Sequence, residues 1–122
     1  MTRVYAKPRN GAFIQSLASS TRSLGTVDVK ADDVPYEAGT ILIDETDAEG
    51  EATGVFVRAA EATAPQVAAA TKAVLLSDRT YAEVATSVLV VERDAEVVGK
   101  MLDSTANADV VAKLIAAGIV LR

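Results

Sequence analysis

The stretch ATSVLVVERDAEVV, residues 85–98, carries the strongest strand signal in the chain. At its centre, residues 87–92 read SVLVVE, an apolar run that makes both faces of an extended segment hydrophobic. A half-exposed strand would instead alternate apolar and polar residues. The run therefore predicts a central strand of a sheet that is covered on both sides.

Shorter strand patterns precede this run. Residues 25–30 alternate apolar and polar side chains, residues 40–43 and 54–58 are mainly apolar, and residues 74–76 form a short buried run. Residues 34–39 contain Pro and Gly and predict a turn. At 122 residues, the chain is expected to form one small α+β domain with a β-dominated core.

Two helices are predicted between and after these strands. Pro65 can open a helix over residues 64–71, which we favour over a compact loop. A short C-terminal helix begins near Asn107, a good N-cap, and ends at Gly118. Its apolar face is formed by Val110, Val111, Leu114 and Ile115. Residues 119–121 follow as a short strand or an extended tail.

Charge divides the chain at Asp28. The preceding residues hold four bases and no acid, whereas all 17 acids and the remaining bases follow, which gives +4 before Asp28 and −9 from it onward. A basic tail on an acidic body usually binds a partner. Its turn-forming and small polar residues bury too little apolar surface to order it alone. We therefore predict an extended N-terminal arm over residues 1–27 and a β-rich body over residues 28–122.

The arm contains the candidate partner-binding residues. The bases would steer the arm and the apolar side chains would be buried against the partner: Arg3, Val4, Tyr5, Lys7, Arg9, Phe13, Ile14, Leu17, Arg22 and Leu24. For the apolar residues from Phe13 onward, a second interpretation stays open. They would then cap one edge of the body's own core.

Composition argues against catalysis. The chain has no Cys and no His, so thiol chemistry, the commonest general base and the commonest zinc ligand are all missing. We predict no catalytic residue, no cofactor and no small-molecule substrate. An enzyme that uses paired carboxylates remains the alternative, but nearly all the acids fall on predicted turns or solvent-facing positions.

The most acidic segment is residues 44–51, DETDAEGE, which follows the strand at 40–43. Clustered carboxylates can bind calcium, but the spacing does not match an EF-hand, because the glycine comes late and no closing glutamate is in place. We interpret the segment as a solvated hairpin tip and predict no metal site.

Membranes and nucleic acids are not expected partners. The longest apolar runs are only a few residues, far short of the roughly 20 needed to span a bilayer. Four dispersed bases form a weak nucleic-acid footprint, and the acidic body would repel a polyanion. The acid-free start, which contains Ser and Arg, also resembles an organellar transit peptide, a further alternative.

Four segments of the body resemble the lambda-type phage head decoration protein family. Residues 38–42, AGTIL, resemble the family's Pro-Gly-Thr turn and the strand that follows it; residues 73–76, AVLL, resemble its short strand. Residues 88–97, VLVVERDAEV, resemble its longer V-L-V-x-x-x-A-x-V strand, and residues 114–122, LIAAGIVLR, resemble its final helix and Gly-Ile-Val ending. Two turn positions depart from the pattern: Ala38 stands where Pro is common, and Lys72 to Val74 lack the Gly that often opens the short strand.

The resemblance implies a capsid cement protein with the family's β-tulip-like fold. Such a protein sits on the outer surface of the virion as a homotrimer and resists the pressure of the packaged DNA. Its arm becomes ordered against the major capsid protein, by adding a strand to one of that protein's sheets. The rival expectation is a small β-rich binding or assembly module from another setting.

Overall fold

Two sheets and a C-terminal helix make up this small, β-dominated domain. The computed structural model describes residues 11–102 and 107–122. The elements within these ranges are β1 (Ile14–Leu17), α1 (Ser20–Ser23), β2 (Leu24–Val29), β3 (Ile41–Thr46), β4 (Ala52–Arg58), α2 (Ala64–Ala69), β5 (Ala73–Leu76), β6 (Thr86–Val91), β7 (Ala95–Val97), α3 (Ala108–Ala116) and β8 (Ile119–Leu121). Short 3-10 turns occur at Ala59–Glu61 and Gly99–Met101.

The first sheet is a closed barrel with the strand order β2-β4-β3-β5-β6. β2 and β6 are antiparallel along the whole of β2, from Leu24 opposite Val91 to Val29 opposite Thr86. The barrel closes where Val29 lies beside Phe56 of β4 in a parallel contact. Closure gives each of these strands two neighbours.

The two ends of the barrel differ in character. At the loop end, β2 and β5 finish, β6 begins, and residues 30–40 and 77–85 connect the strands. At the tip end, β3 and β4 are joined through residues 47–51. Any surface at the loop end therefore lies a strand length away from the hairpin tip.

The second sheet has three strands, with β7 between β1 and β8. β1 runs antiparallel to β7, and β8 runs parallel to it. α3 leads directly into β8 through a turn at Gly118, whose φ of 82° lies in the left-handed region that glycine tolerates.

Successive side chains of a strand point to opposite faces, and the two faces of the barrel wall contribute to two separate hydrophobic cores. The inner core fills the barrel with Val29, Tyr36, Leu42, Phe56, Val74, Leu76, Ala82, Val88 and Val90. The outer core lies between the barrel wall, the second sheet and α3, and includes Ile41, Ile43, Ala73, Leu75, Val91, Val97, Val110, Leu114 and Ile119. β3 and β5 are apolar on both faces because each face belongs to a different core.

The central strand predicted around residues 87–92 is confirmed, since β6 pairs with β2 on one side and β5 on the other. The prediction that both faces of this strand are covered is only partly right. Leu89 points away from the inner core and is 39% exposed. The longer strand expected over residues 88–97 is wrong. The chain turns at Asp94, which has a φ of 49°, so that β6 and β7 belong to different sheets.

The boundary predicted at residue 27 has to be moved toward the N-terminus. Residues 11–27 contain β1, α1 and most of β2; β1 pairs with β7 and β2 pairs with β6 of the body. The buried Ser23 adds a further link, since its hydroxyl donates to Asp94 O and accepts from Ala18 N. Turn-forming residues in this stretch form connections within the body, and the stretch is not an extended arm.

Both predicted helices are present. α2 spans Ala64–Ala69, and a capping box closes its start, in which Thr63 and Gln66 exchange hydrogen bonds. At α3, the Asn107 side chain accepts from Asp109 N and Val110 N, as expected for an N-cap. Ile115 was predicted on the buried face of α3 but is 60% exposed, because the outer core takes only Val110 and Leu114 from this helix as fully buried residues.

Candidate functional site

The candidate partner-binding residues fall into two groups. Arg3, Val4, Tyr5, Lys7 and Arg9 lie outside the described residues. The described chain begins at Gly11, whose N–H donates to Ser77 O at 2.8 Å. Ser77 directly follows β5, so the described chain begins at the loop end of the barrel.

The apolar candidates from Phe13 onward belong to the body's own core, which is the second interpretation left open by the sequence. Phe13 is completely buried in the outer core. Ile14, Leu17 and Leu24 are half-buried and pack against the same core. In this fold, the Phe13 side chain is not available to a partner.

Arg22 is also held by the body. Its Nε donates to Asp94 Oδ2 at 2.8 Å, and its carbonyl oxygen accepts from the Arg93 guanidinium. The Arg22 side chain remains two-thirds exposed, so the pair lies at the surface. Arg22 thus orients the turn between β6 and β7 and is not part of a separate arm.

A surface at the loop end combines exposed apolar side chains with acids. This surface, the end patch, consists of residues 31–34 and 78–84, and the two segments are joined by the hydrogen bond from Asp32 N to Ala82 O. Val34, Tyr81 and Val84 are 58%, 67% and 70% exposed. Among the described residues, only Ile115 is a comparably exposed large apolar side chain.

The end patch has an excess of negative charge. Its acids are Asp32, Asp33, Asp78 and Glu83, and its single base is Arg79. Asp32, Asp33 and Glu83 line a shallow depression of about 400 Å³. Within the described ranges, neither Asp33 nor Glu83 forms an ion pair with a base.

Arg58 holds the 31–34 segment of the end patch in place. Its guanidinium pairs with the Asp32 carboxylate, donates to Val34 O and stacks on the Tyr36 ring at 3.8 Å from the centroid. The hydrogen bond from Val34 N and the one from Arg58 hold the pKa of Asp32 below its usual range. The Tyr36 hydroxyl donates to Lys30 O, and burial raises the pKa of Tyr36. These contacts position the 31–34 segment, although its tip is exposed.

A second depression of about 360 Å³ lies on another side of the loop end. Val34, Pro35, Gly39 and Met101 are among the residues that line it. Gly39 has a φ of 86°, and a Cβ placed on it would lie 2.8 Å from Met101 O. A side chain at position 39 would therefore collide with the backbone at Met101.

Asp44 departs from the expectation that residues 44–51 form an exposed acidic tip. β3 continues through Thr46, and Asp44 is only 7% exposed. Its carboxylate accepts hydrogen bonds from Thr71 N, Lys72 N and Thr71 Oγ1 at 2.8, 3.0 and 2.7 Å. Burial raises the pKa of Asp44, but these hydrogen bonds outweigh burial and leave the pKa below its usual range.

Three carboxyl groups of the described residues have a shifted pKa. In the described part of the chain, every carboxyl group with a resolved shift has a lowered pKa: Asp32, Asp44 and Glu96. Over the same residues, no three side chains of the types His, Cys, Asp or Glu are grouped as a metal ion would need.

Sequence reasoning missed the end patch as a surface. Val34, Tyr81 and Val84 are isolated apolar residues among charged and small ones, so neither a strand period nor a helix period marks them. The available signal is local: an apolar residue directly follows acids in Asp32-Asp33-Val34 and in Glu83-Val84. Only the fold brings these two loops side by side.

Comparisons with family models, with curated proteins and with solved structures found no match to this chain. Among the helices of the described residues, none has the length and apolar character needed to cross a bilayer.

Proposed function

We propose that this protein is a phage capsid decoration protein with a β-tulip-like fold. It binds the outside of the head as a homotrimer and stabilises the shell against the pressure of packaged DNA. The main support is that the four segments resembling the decoration family meet in one place. Ala38, Leu75, Val97 and Leu114, one from each segment, all belong to the outer core. A resemblance spread over unrelated surface turns would carry less weight.

In this proposal, residues 1–10 fasten the protein to the major capsid protein. The segment is shorter than the arm expected from the sequence, because residues 11–27 are part of the body. Main-chain hydrogen bonds to a capsid sheet would supply most of its affinity. Exposed pairs made by Arg3, Lys7 and Arg9 would add about 0–1 kcal/mol each. Three segments on one trimer would bind more tightly than one through their high effective concentration.

Two measurements test this proposal. Native mass spectrometry should find a trimer of about 38 kDa, three times the chain mass of 12.7 kDa. Cosedimentation with empty heads, assembled from the major capsid protein encoded in the same genome, should find the protein bound to the shell. A variant that lacks residues 1–10 should remain a folded trimer and bind the heads at least about tenfold more weakly.

A matched pair of variants separates the segment from the body. Replacing Arg3, Lys7 and Arg9 by Ala should weaken head binding, whereas Arg22→Ala should leave it unchanged, because Arg22 pairs with Asp94 on the body. A monomer that does not sediment with heads would overturn the proposed function. Full binding by the variant that lacks residues 1–10 would overturn the role of the segment alone.

A further inference from the structure

We propose that the end patch is a docking surface for residues 1–10 of the same chain. This inference concerns the protein on its own and does not depend on binding to a capsid. It rests on three observations: the exposed apolar side chains of the patch, the opposite charges of patch and segment, and the place where the segment joins the body.

The apolar part of the patch is unusual for this molecule. Three of the four large apolar side chains that are more than half exposed among the described residues, Val34, Tyr81 and Val84, lie on two adjoining loops. Clustered exposed apolar residues with a polar rim commonly mark an interaction surface. Residues 1–10 contain Val4 and Tyr5, which can cover such a surface.

The charges of the end patch and of residues 1–10 are complementary. The end patch holds four acids and one base, whereas residues 1–10 hold three bases and no acid. Asp33 and Glu83 lack an ion-pair partner among the described residues, so both can receive a base from the segment. The acids of the patch would repel an acidic segment, and a purely apolar helix would leave Asp33 and Glu83 without a base.

The segment joins the body beside the patch. Gly11 N–H is bonded to Ser77 O, and the patch begins at the next residue, Asp78. Val84 follows Ser77 by seven residues, so it lies at most about 25 Å from Ser77. Ten extended residues reach about 33 Å, which covers the 78–84 segment and the 31–34 segment bonded to it.

The tether makes weak contacts sufficient. A short covalent connection holds the segment at an effective concentration of the order of millimolar. Each exposed ion pair contributes little, and added salt screens it. Docking should therefore be reversible and should weaken as the ionic strength rises.

Paramagnetic NMR locates the docked segment directly. Because the chain has no Cys, Ala6→Cys gives a single site for a spin label in the full-length protein. We expect the label to broaden the amide signals of residues 31–34 and 78–84 and to spare those of residues 47–51 at the opposite end of the barrel. Addition of 0.5 M NaCl should reduce the broadening.

A mixed sample distinguishes the same chain from a neighbouring copy. Spin-labelled chains without ¹⁵N are mixed with ¹⁵N-labelled chains that carry no spin label. No broadening of the patch should occur in this sample if each segment docks on its own chain. Broadening of equal strength in the mixed sample would overturn docking within one chain, and absence of patch broadening in both samples would overturn the docking surface itself.

Limited proteolysis supplies a second readout with a matched control. Docking should protect the bond after Arg9 from trypsin, so Asp33→Asn with Glu83→Gln should speed its cleavage at least about threefold. Glu49→Gln with Glu51→Gln removes the same charge from the hairpin tip and should leave the rate unchanged. Equal rates in both double variants and the wild type would contradict the proposal.

Discussion

Asp44 shows how a single carboxylate can connect two distant stretches of chain. Its two oxygens accept three hydrogen bonds from Thr71 and Lys72, just after α2 and directly before β5. Two of the donors are backbone N–H groups that would otherwise lack a partner in this connection. Asp44 therefore holds the entry of β5 against β3.

Asp44→Asn should destabilise the protein by about 1–3 kcal/mol, because the amide group cannot accept all three hydrogen bonds in the same geometry. Chemical denaturation at pH 7 measures the change. The control is Glu49→Gln, at the exposed hairpin tip, which should stay within about 0.5 kcal/mol of the wild type. Equal stability of Asp44→Asn and the wild type would contradict this role.

The same carboxylate predicts a pH dependence. The pKa of Asp44 is lower in the folded protein than the ordinary value of about 3.9 for an aspartate, so the unfolded chain binds the proton more readily. The stabilisation is complete well above pH 4 and is lost as the pH falls below about 4 toward the folded-state pKa. The difference in unfolding free energy between the wild type and Asp44→Asn should therefore narrow between about pH 5 and pH 2. A constant difference would show that ionisation of Asp44 is not responsible.

The contrast between Asp44 and Asn107 explains what a sequence can predict about single residues. Asn107 accepts from N–H groups two and three positions ahead, so the local sequence identifies it as a cap. The partners of Asp44 lie 27 and 28 residues away. Their position depends on the pairing of β3 with β5, which no local pattern specifies.

At the scale of elements, β1 is the main revision of the sequence-based picture. It is four residues long, too short to signal a strand, and it lies in a basic stretch rich in turn residues. Its place at one edge of the second sheet comes from long-range pairing with β7. The burial of Phe13 depends on the same pairing.

Phe13→Ala should destabilise the protein by about 3–5 kcal/mol, because the ring is fully buried in the outer core. Gln15→Ala, an exposed change in the same strand, should cost less than about 0.5 kcal/mol. Thermal and urea unfolding measure both. If residues 11–27 formed a separable arm, neither substitution would affect the unfolding of the body.

Neighbouring positions of α3 provide another contrast. Leu114→Ala removes a fully buried side chain and should cost about 2–4 kcal/mol, whereas Ile115→Ala removes a mostly exposed one and should cost less than about 1 kcal/mol. Urea unfolding of the two variants is the measurement. Similar losses at both positions would mean that Ile115 is covered in solution, for example by another copy of the chain.

The elements that the sequence identified best have strong local signals. α3 has a cap, an apolar stripe and a terminal glycine within its own residues, and β6 has an unbroken apolar run. The break between β6 and β7 was missed, because residues 92–94 contain neither Gly nor Pro. The turn there depends on Asp94 in a left-handed conformation, with its N–H bonded to Ala117 O.

At the scale of the whole molecule, the two cores are physically continuous. β3, β5 and β6 contribute one face to the inner core and residues of the other face to the outer core. A strand cannot leave one core without disturbing the other. The domain is therefore expected to unfold as one cooperative unit.

Cooperative unfolding can be tested with two probes. Tyr36 lies in the inner core, and the chain has no Trp, so in a Tyr5→Phe, Tyr81→Phe background tyrosine fluorescence follows the barrel while far-UV circular dichroism follows all elements. The two urea transitions should coincide in this background. They should also coincide in Val88→Ala, which opens the inner core, and in Leu114→Ala, which opens the outer core. Separate transitions in either variant would mean that the cores unfold independently.

The second sheet also brings the two ends of the described chain together. Ile14 of β1 and Leu121 of β8 both lie opposite Val97, on either side of β7, so only two strand spacings, about 10 Å, separate them. A linker of about eight residues from Arg122 to Gly11 would span that gap and retain the buried Phe13. The chain is thus suited to circular permutation, with new termini opened in the exposed residues 47–51. Such a rearranged protein would keep both cores and carry its free ends at the opposite end of the barrel.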